Sequence, residues 1–275
     1  MLRITALMDN QSSENKALTA QHGLSLLIEK DGGKVLFDCG QGDATLRNAH
    51  RLGRDISAPD AVVLSHSHYD HAAGFRDYTE QIGGCGVLYT GPGFFEPKFA
   101  FDGVKYTDLS AGFDEAFLSV HGIRHEIVSD HREILPGVFV FADFPRVHPF
   151  EKIPERFVKL TESGFVRDDF SDEICIALDL GYKICVLAGC AHPGILNMLE
   201  RVYRTMGKPV YAVFGGTHLN EADEERIDRT VCCMKEMGLE IAGFSHCSGV
   251  CAEEKLKGDN GMPACHLGVG DCIFL

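Results

Sequence analysis

The stretch Ser65-His66-Ser67-His68-Tyr69-Asp70-His71 follows directly on the apolar run Ala61-Val62-Val63-Leu64. Three imidazoles and a carboxylate in so short a segment are costly to gather unless a cation binds them. Neutral imidazole and carboxylate oxygen are first-choice ligands for zinc and its neighbours. Val62 to Leu64 reads as a buried strand, so the four groups emerge together at its carboxyl end, where open α/β sheets carry their sites. In extended chain His66 and His68 point the same way and can chelate one ion, while Asp70 and His71, past the turn, are available to a second.

Outward from this loop, Arg3 to Met8, Leu24 to Glu29 and Lys34 to Asp38 read as strands, the last two joined by the hairpin-type turn Asp31-Gly32-Gly33. Asp43 starts a helical pattern with Leu46, Ala49 and Leu52 on one face until Gly53. A short helix is expected from Ala72 through Gln81, then a strand at Val87-Leu88-Tyr89. In the second half, Ile174 to Leu180 and Ile184 to Leu187 form a hairpin around Gly181-Tyr182, and Pro193 suits the first turn of a helix running to Met206. Val210 to Phe214 is a strand, Glu221 to Met237 an amphipathic helix, Leu239 to Phe244 a strand, and Cys265 to Val269 and Cys272 to Leu275 close the chain as strands. Both halves put strand hairpins first and alternate helices with strands afterwards. That order predicts two sheets facing each other with helices on both outer faces.

A chain of 275 residues with 45% hydrophobic content can bury a sizeable core, and residues 1–275 are expected to form one domain. The segment at about 91–170 is a looser insertion, rich in Gly and Pro breaks, and it holds thirteen of the 18 phenylalanines. Aromatics at this density must pack on something. They suit a pocket for a flat ligand, a contact between two copies in a homodimer, or a satellite cluster under long loops. The formal net charge of -14 argues against nucleic acid and anionic membrane surfaces and favours a small-molecule substrate. No run has the length of a transmembrane helix and no signal peptide opens the chain, so the cytoplasm is the expected location. Eleven scattered cysteines without a C-x-x-C pair read as reduced thiols. Cys190 and Cys247 stand out because each adjoins or closely precedes a histidine.

Three further histidines sit directly after expected strands: His192 in Gly189-Cys190-Ala191-His192-Pro193-Gly194, His218 in Gly215-Gly216-Thr217-His218, and His246 in Ser245-His246-Cys247-Ser248-Gly249. Each lies at the same strand end as His66, and the flanking glycines let the chain turn sharply inward. Cys190, two before His192, is either a ligand or a buried thiol. Asp38 suits the carboxylate that receives the free N–H of a ligand imidazole. His22, His50, His121, His125, His131, His148 and His266 have no comparable setting, although His22-Gly23 and His148 are placed to reach a pocket.

The pattern His66-x-His68-x-Asp70-His71, with Asp38 upstream and His246 near the end, resembles the metallo-β-lactamase superfamily, whose fold is a four-layer αββα sandwich of the α/β class. The runs Leu36-Phe37-Asp38-Cys39-Gly40, Gly189-Cys190-Ala191-His192-Pro193-Gly194-Ile195, Gly215-Gly216-Thr217-His218-Leu219 and His246-Cys247-Ser248-Gly249 resemble, more narrowly, the branch that includes the 7,8-dihydropterin-6-methyl-4-(β-D-ribofuranosyl)aminobenzene-5′-phosphate synthases. The resemblance implies two divalent metal ions, zinc first, with iron or manganese as alternatives. His66 and His68 resemble ligands of the first ion, and Asp70, His71 and His246 ligands of the second. Cys190 falls where much of the superfamily has a bridging aspartate, and His192 is the candidate for the remaining histidine ligand. Ala72-Ala73-Gly74 departs from the glycine pair expected after the motif.

The function expected from this set is metal-dependent hydrolysis of a small, phosphorylated or pterin-like substrate. Asp70 would hold the attacking water, and His218 would act as proton donor to substrate or leaving group. Arg146 is a candidate anion contact. The alternatives are a synthase-type group transfer, in which the metals activate the electrophile, and a metal-binding protein without catalysis.

Overall fold

The computed structural model describes residues 1–258 and 262–275. In chain order the elements are β1 (Leu2–Met8), β2 (Ser25–Lys30), β3 (Gly33–Phe37), α1 (Ala44–Arg51), β4 (Ala61–Val63), α2 (Tyr69–Ala72), α3 (Gly74–Ile82), β5 (Val87–Thr90), β6 (Lys98–Phe101), β7 (Tyr106–Asp108), α4 (Glu115–Val120), β8 (His125–Ile127), β9 (His131–Leu135) and β10 (Val138–Phe141). They continue with β11 (Phe157–Thr161), β12 (Gly164–Arg167), β13 (Cys175–Asp179), β14 (Ile184–Ala188), α5 (Ile195–Met206), β15 (Val210–Gly215), α6 (Glu224–Glu236), β16 (Ile241–Phe244), α7 (Val250–Gly258), β17 (Ala264–His266) and β18 (Cys272–Phe274). Two compact units result: Met1–Val128, Pro154–Glu173 and Gly268–Leu275 make the first, Ser129–Ile153 and Ile174–Leu267 the second.

The first unit holds a seven-stranded sheet in the order β18-β1-β2-β3-β4-β5-β8. The pairs from β18 to β3 are antiparallel and those from β3 to β8 parallel. Leu7, Leu27, Leu36, Val62 and Leu88 present alternate positions of five strands to Ala49 of α1 and to Phe75 and Tyr78 of α3, which forms the core on that face. The second unit repeats the plan: its sheet runs β17-β16-β15-β14-β13-β10-β9, antiparallel from β9 to β14 and parallel from β14 to β17. Val186, Val213 and Ala242 of that sheet pack on Ile195, Met198, Leu199 and Val202 of α5 and on Val231 and Met234 of α6. The hairpin-then-alternation order expected from sequence is therefore present in both halves. The parallel strands β3, β4, β14, β15 and β16 each end at a candidate site residue.

The aromatic segment does not fold as one piece. Its β8 joins the first sheet, β9 and β10 join the second, and β6, β7, β11 and β12 form a separate four-stranded sheet of the first unit in the order β12-β11-β6-β7. The pleat sends Phe99, Tyr106 and Phe165 to one face, where Tyr106 stacks on Phe165 at 4.0 Å while both rings stay partly exposed. Lys98 and Phe157 take the opposite face. Phe157 is buried there against Phe170, with ring centroids 5.5 Å apart. The Lys98 ammonium, also buried, lies 2.5 Å from Asp172 Oδ1, 2.9 Å from Asp168 Oδ2 and 4.5 Å over the Phe170 ring. Burial works against its charge, but Asp172 and Asp168 together raise its pKa, so the cation stays paired.

Local starts differ from expectation where caps decide them. The helix expected from Ala72 is split: α2 begins at Tyr69, so Asp70 and His71 lie on a helical turn rather than beyond one. Gly74 opens α3 where a Cβ would stand 2.1 Å from the Cys39 carbonyl oxygen. One glycine at this point meets the need for close approach, which explains why Ala73 is tolerated beside it. Helix α6 begins at Glu224 rather than Glu221, because the Asp223 carboxylate caps it by accepting the Arg226 N–H at 2.8 Å. Pro193 precedes α5 by two residues instead of lying in its first turn.

Two consequences can be measured. Lys98→Met leaves two buried carboxylates without their cation and is expected to cost about 3–5 kcal/mol, read as a lower midpoint of thermal unfolding. Adding Asp168→Asn and Asp172→Asn should recover part of the loss, and wild-type stability in the single variant would contradict the account. At the start of α5 the buried Glu151 carboxylate accepts the Leu196 and Asn197 N–H groups at 3.0 and 2.9 Å. Burial pushes its pKa up from 4.5 to about 7 against those two hydrogen bonds. The folded state thus holds the proton more tightly than the unfolded chain, so this contribution to stability is full below pH 4.5 and is lost as pH rises to about 7. Glu151→Gln should flatten that fall in thermal midpoint, whereas identical pH slopes in both proteins would rule it out.

Candidate metal centre

The first unit gathers His66, His68, Asp70 and His71 at the carboxyl end of β4, all buried. Ring centroids of His66 and His68 are 4.7 Å apart, and those of His66 and His71 are 4.3 Å apart. Hydrogen bonding assigns the tautomers. Asp38 can only accept, and it takes the Ser65 N–H at Oδ1 (2.7 Å), the Ser65 hydroxyl at Oδ2 (2.8 Å) and His71 Nδ1–H at Oδ2 (2.7 Å). The Ser65 hydroxyl has spent its one proton, so it accepts from His66 Nδ1–H at 2.9 Å. Both imidazoles are left presenting Nε2 as the lone-pair nitrogen, the form in which histidine binds a cation. Asp70 Oδ2 stands 3.7 Å from His71 Nε2 and 3.1 Å from His22 Nε2. His22, expected from sequence only to lie within reach of a pocket, is thus a partner of Asp70.

Burial holds the His66 pKa well below the usual histidine value, and the adjacent His71 and His68 lower it further. A neutral, tautomerically fixed imidazole beside a carboxylate is a donor set that suits a divalent ion. Ser67, between the two chelating histidines, donates its N–H to Asp172 Oδ2 at 2.9 Å. The Phe170 ring meets His68 edge-on at 5.3 Å, and Phe157 lies 5.4 Å from the same imidazole. The four-stranded sheet therefore holds the loop through Lys98, Asp172 and these two rings. Nothing in the local sequence marked Lys98, whose partners lie 70 or more residues away along the chain.

The second unit gathers Cys190, His192, His218, His246 and Cys247, again buried, at the ends of β14, β15 and β16. His192 and His218 have ring centroids 4.4 Å apart. The Thr217 N–H and hydroxyl both reach Ser248 Oγ, at 3.2 and 2.9 Å, which ties the His218 loop to the His246 loop. Glu221 Oε1 lies 3.1 Å from His218 Nε2. Burial would lower the His218 pKa, but its contacts with Cys247 and Glu221 prevail and lift it to about 9. For Cys247, burial favours the thiol, yet the contacts with Cys190 and His218 win and hold the pKa well below the ordinary thiol value.

The remaining candidates lie elsewhere. Arg146 is exposed, and its charge acts on Glu151. The His148 backbone N–H is taken by Asn197 Oδ1 at 2.8 Å, and the His266 imidazole pairs with Glu253 at 2.9 Å. None of the eleven cysteines, all of which are described, is joined in a disulfide bond. No helix among the described residues is long and apolar enough to cross a membrane.

Comparison with known proteins agrees with this geometry. Residues 18–144 match the metallo-beta-lactamase superfamily. The chain is 30% identical to the 7,8-dihydropterin-6-methyl-4-(beta-D-ribofuranosyl)-aminobenzene-5'-phosphate synthase of Methanocaldococcus jannaschii, covering 92% of this chain and 89% of that one. Among solved structures, Tm1679, a metal-dependent hydrolase of the beta-lactamase superfamily, superposes with a TM-score of 0.85 at 25% identity over 100% of this chain and 99% of its own. Zn(2+)-bound PqqB from Methylobacterium extorquens shares the fold at 12% identity, with a TM-score of 0.59 over 99% of this chain and 100% of its own. A relative of this identity along nearly the whole length, and a fold that matches throughout, establish that the chain belongs to the metallo-β-lactamase superfamily.

Proposed function

We propose that the protein is a metal-dependent hydrolase acting on a small, phosphorylated or pterin-like substrate, with two divalent ions as its cofactor. Candidate ligands are His66, His68, Asp70 and His71 in the first unit and Cys190, His192 and His246 in the second. The observation that carries this reading is the Asp38–Ser65 network, which fixes Nδ1–H on His66 and His71 and leaves Nε2 of each as the candidate ligand atom at one strand end. Divalent ions held by such donors lower the pKa of a bound water toward neutrality and polarise a carbonyl or phosphoryl oxygen.

The chain's own groups do the rest. Asp70, steadied by His22 at 3.1 Å, accepts a hydrogen bond from the attacking water and fixes its direction. Asp38 keeps the His71 imidazole from rotating, and Phe157 and Phe170 shield His68 from bulk water. Both rings are buried, so the site end of the aromatic segment forms a wall.

A second reading, synthase-type group transfer, is supported by the relative in M. jannaschii, which bears a synthase's name. Incubation with a dihydropterin diphosphate and the aminobenzene ribotide separates the two: a coupled product identifies a synthase, and cleaved phosphate alone a hydrolase.

Asp38→Asn is expected to weaken metal binding by about 10–100-fold, read by competition with a chelator, with a parallel fall in turnover at limiting metal. His68→Ala and Asp70→Ala should lower metal content, by loss of the ion held at this strand end, and abolish turnover. Full turnover in metal-free variant protein would sink the proposed chemistry.

A further inference from the structure

A second set of ligand-type side chains converges within the second unit. Cys190 Sγ, a His218 ring nitrogen and Cys247 Sγ lie within 4.8 Å of one another, and all three residues are buried. They come from the ends of three neighbouring parallel strands, β14, β15 and β16. Tetrahedral zinc with sulfur at about 2.3 Å sets its ligand atoms some 3.5–4 Å apart, so the three atoms need only a small closure to share one ion.

The surrounding backbone is shaped to this convergence. A Cβ on residue 216 would stand 2.7 Å from Cys247 Sγ and 2.2 Å from the Gly189 carbonyl oxygen, so the sulfur enters only because that residue is glycine. The His218 N–H donates to Cys247 Sγ at 3.3 Å, a contact that favours the thiolate over the thiol. Glu221 Oε1 stands 3.1 Å from His218 Nε2, close enough for a carboxylate to orient the imidazole. His218 itself, Ala191 after Cys190 and His246 before Cys247 all have left-handed backbone, with φ of 49°, 57° and 52°. L-residues rarely adopt this backbone, and it falls at or beside every one of the three ligands.

We infer that Cys190, His218 and Cys247 form a metal site of two thiolates and one imidazole that takes a soft divalent ion, zinc or ferrous iron, in preference to magnesium or manganese. The inference deepens the proposed metal-enzyme reading, rests on it through the shared Cys190, and gives His218 a ligand's role in place of the proton-donor role expected from sequence.

Cobalt(II) alone, added to the metal-free full chain, provides the test through thiolate-to-cobalt charge-transfer absorption in the near ultraviolet. The band should be present in wild type, fall to about half in Cys190→Ser and in Cys247→Ser, and vanish in the double variant. X-ray absorption of the zinc-loaded wild type requires no variant and should show two sulfur neighbours near 2.3 Å. A wild-type spectrum without the band, a band undiminished in Cys247→Ser, or a zinc shell of nitrogen and oxygen only would overturn the site. So would recovery of the two cysteines as a disulfide in protein that takes up no cobalt. His68→Ala keeps the two readings apart: it should abolish turnover and spare the sulfur band. A sulfur band in a wild-type protein that hydrolyses nothing counts against the hydrolase reading and for this site. Wild-type turnover with only nitrogen and oxygen around cobalt does the reverse.

Discussion

One buried carboxylate organises the first unit. Asp38 leaves β3 with a left-handed backbone, φ 58°, and turns its side chain onto the end of β4. There it receives two hydrogen bonds from Ser65 and one from His71, while its own carbonyl accepts the Ser25 hydroxyl at 2.7 Å. A carboxylate this deep is costly without full satisfaction of its oxygens. Because these four hydrogen bonds meet at one residue, β2, β3, β4 and α2 are locked to one another at the point where the histidines emerge. Electrostatics and packing agree here: the arrangement that pays for the buried charge also fixes two imidazoles in the tautomer a cation requires.

The four-stranded sheet supports the same loop from another direction. Lys98 neutralises Asp168 and Asp172, and Asp172 spends its second oxygen on the Ser67 N–H, so the ammonium acts on the loop through a carboxylate. The inserted segment thus contributes to the candidate centre by positioning rather than by supplying a ligand. Its other face carries the partly exposed stack of Tyr106 and Phe165.

Local patterns were legible in the sequence and long-range ones were not. The His66-to-His71 loop could be read because its ligands are close together and follow an apolar run, and the strands β13 to β16 because each is a continuous apolar stretch. The loops bearing Cys190, His192, His218 and His246 could be read because glycines flank histidines after those strands. Strands β6 to β12 escaped because they are three to five residues long, and one of them, Tyr106–Asp108, is exposed throughout, leaving no alternation to detect. The Lys98–Asp172 and Ser67–Asp172 bonds span 74 and 105 residues, so only the folded chain brings them together. Cys247 drew notice in the sequence, but the convergence of its sulfur with Cys190 and His218 depends on backbone turns that no spacing encodes.

The proposed function requires that the buried histidines hold catalytic metal. The most direct measurement is elemental analysis of protein purified without added metal, followed stepwise by chelation and re-addition while hydrolysis is recorded against phosphodiesters, lactones, thioesters and pterins. Bound zinc, iron or manganese should fall and return in proportion to turnover. Turnover that persists at full rate after the last metal has been removed would contradict it.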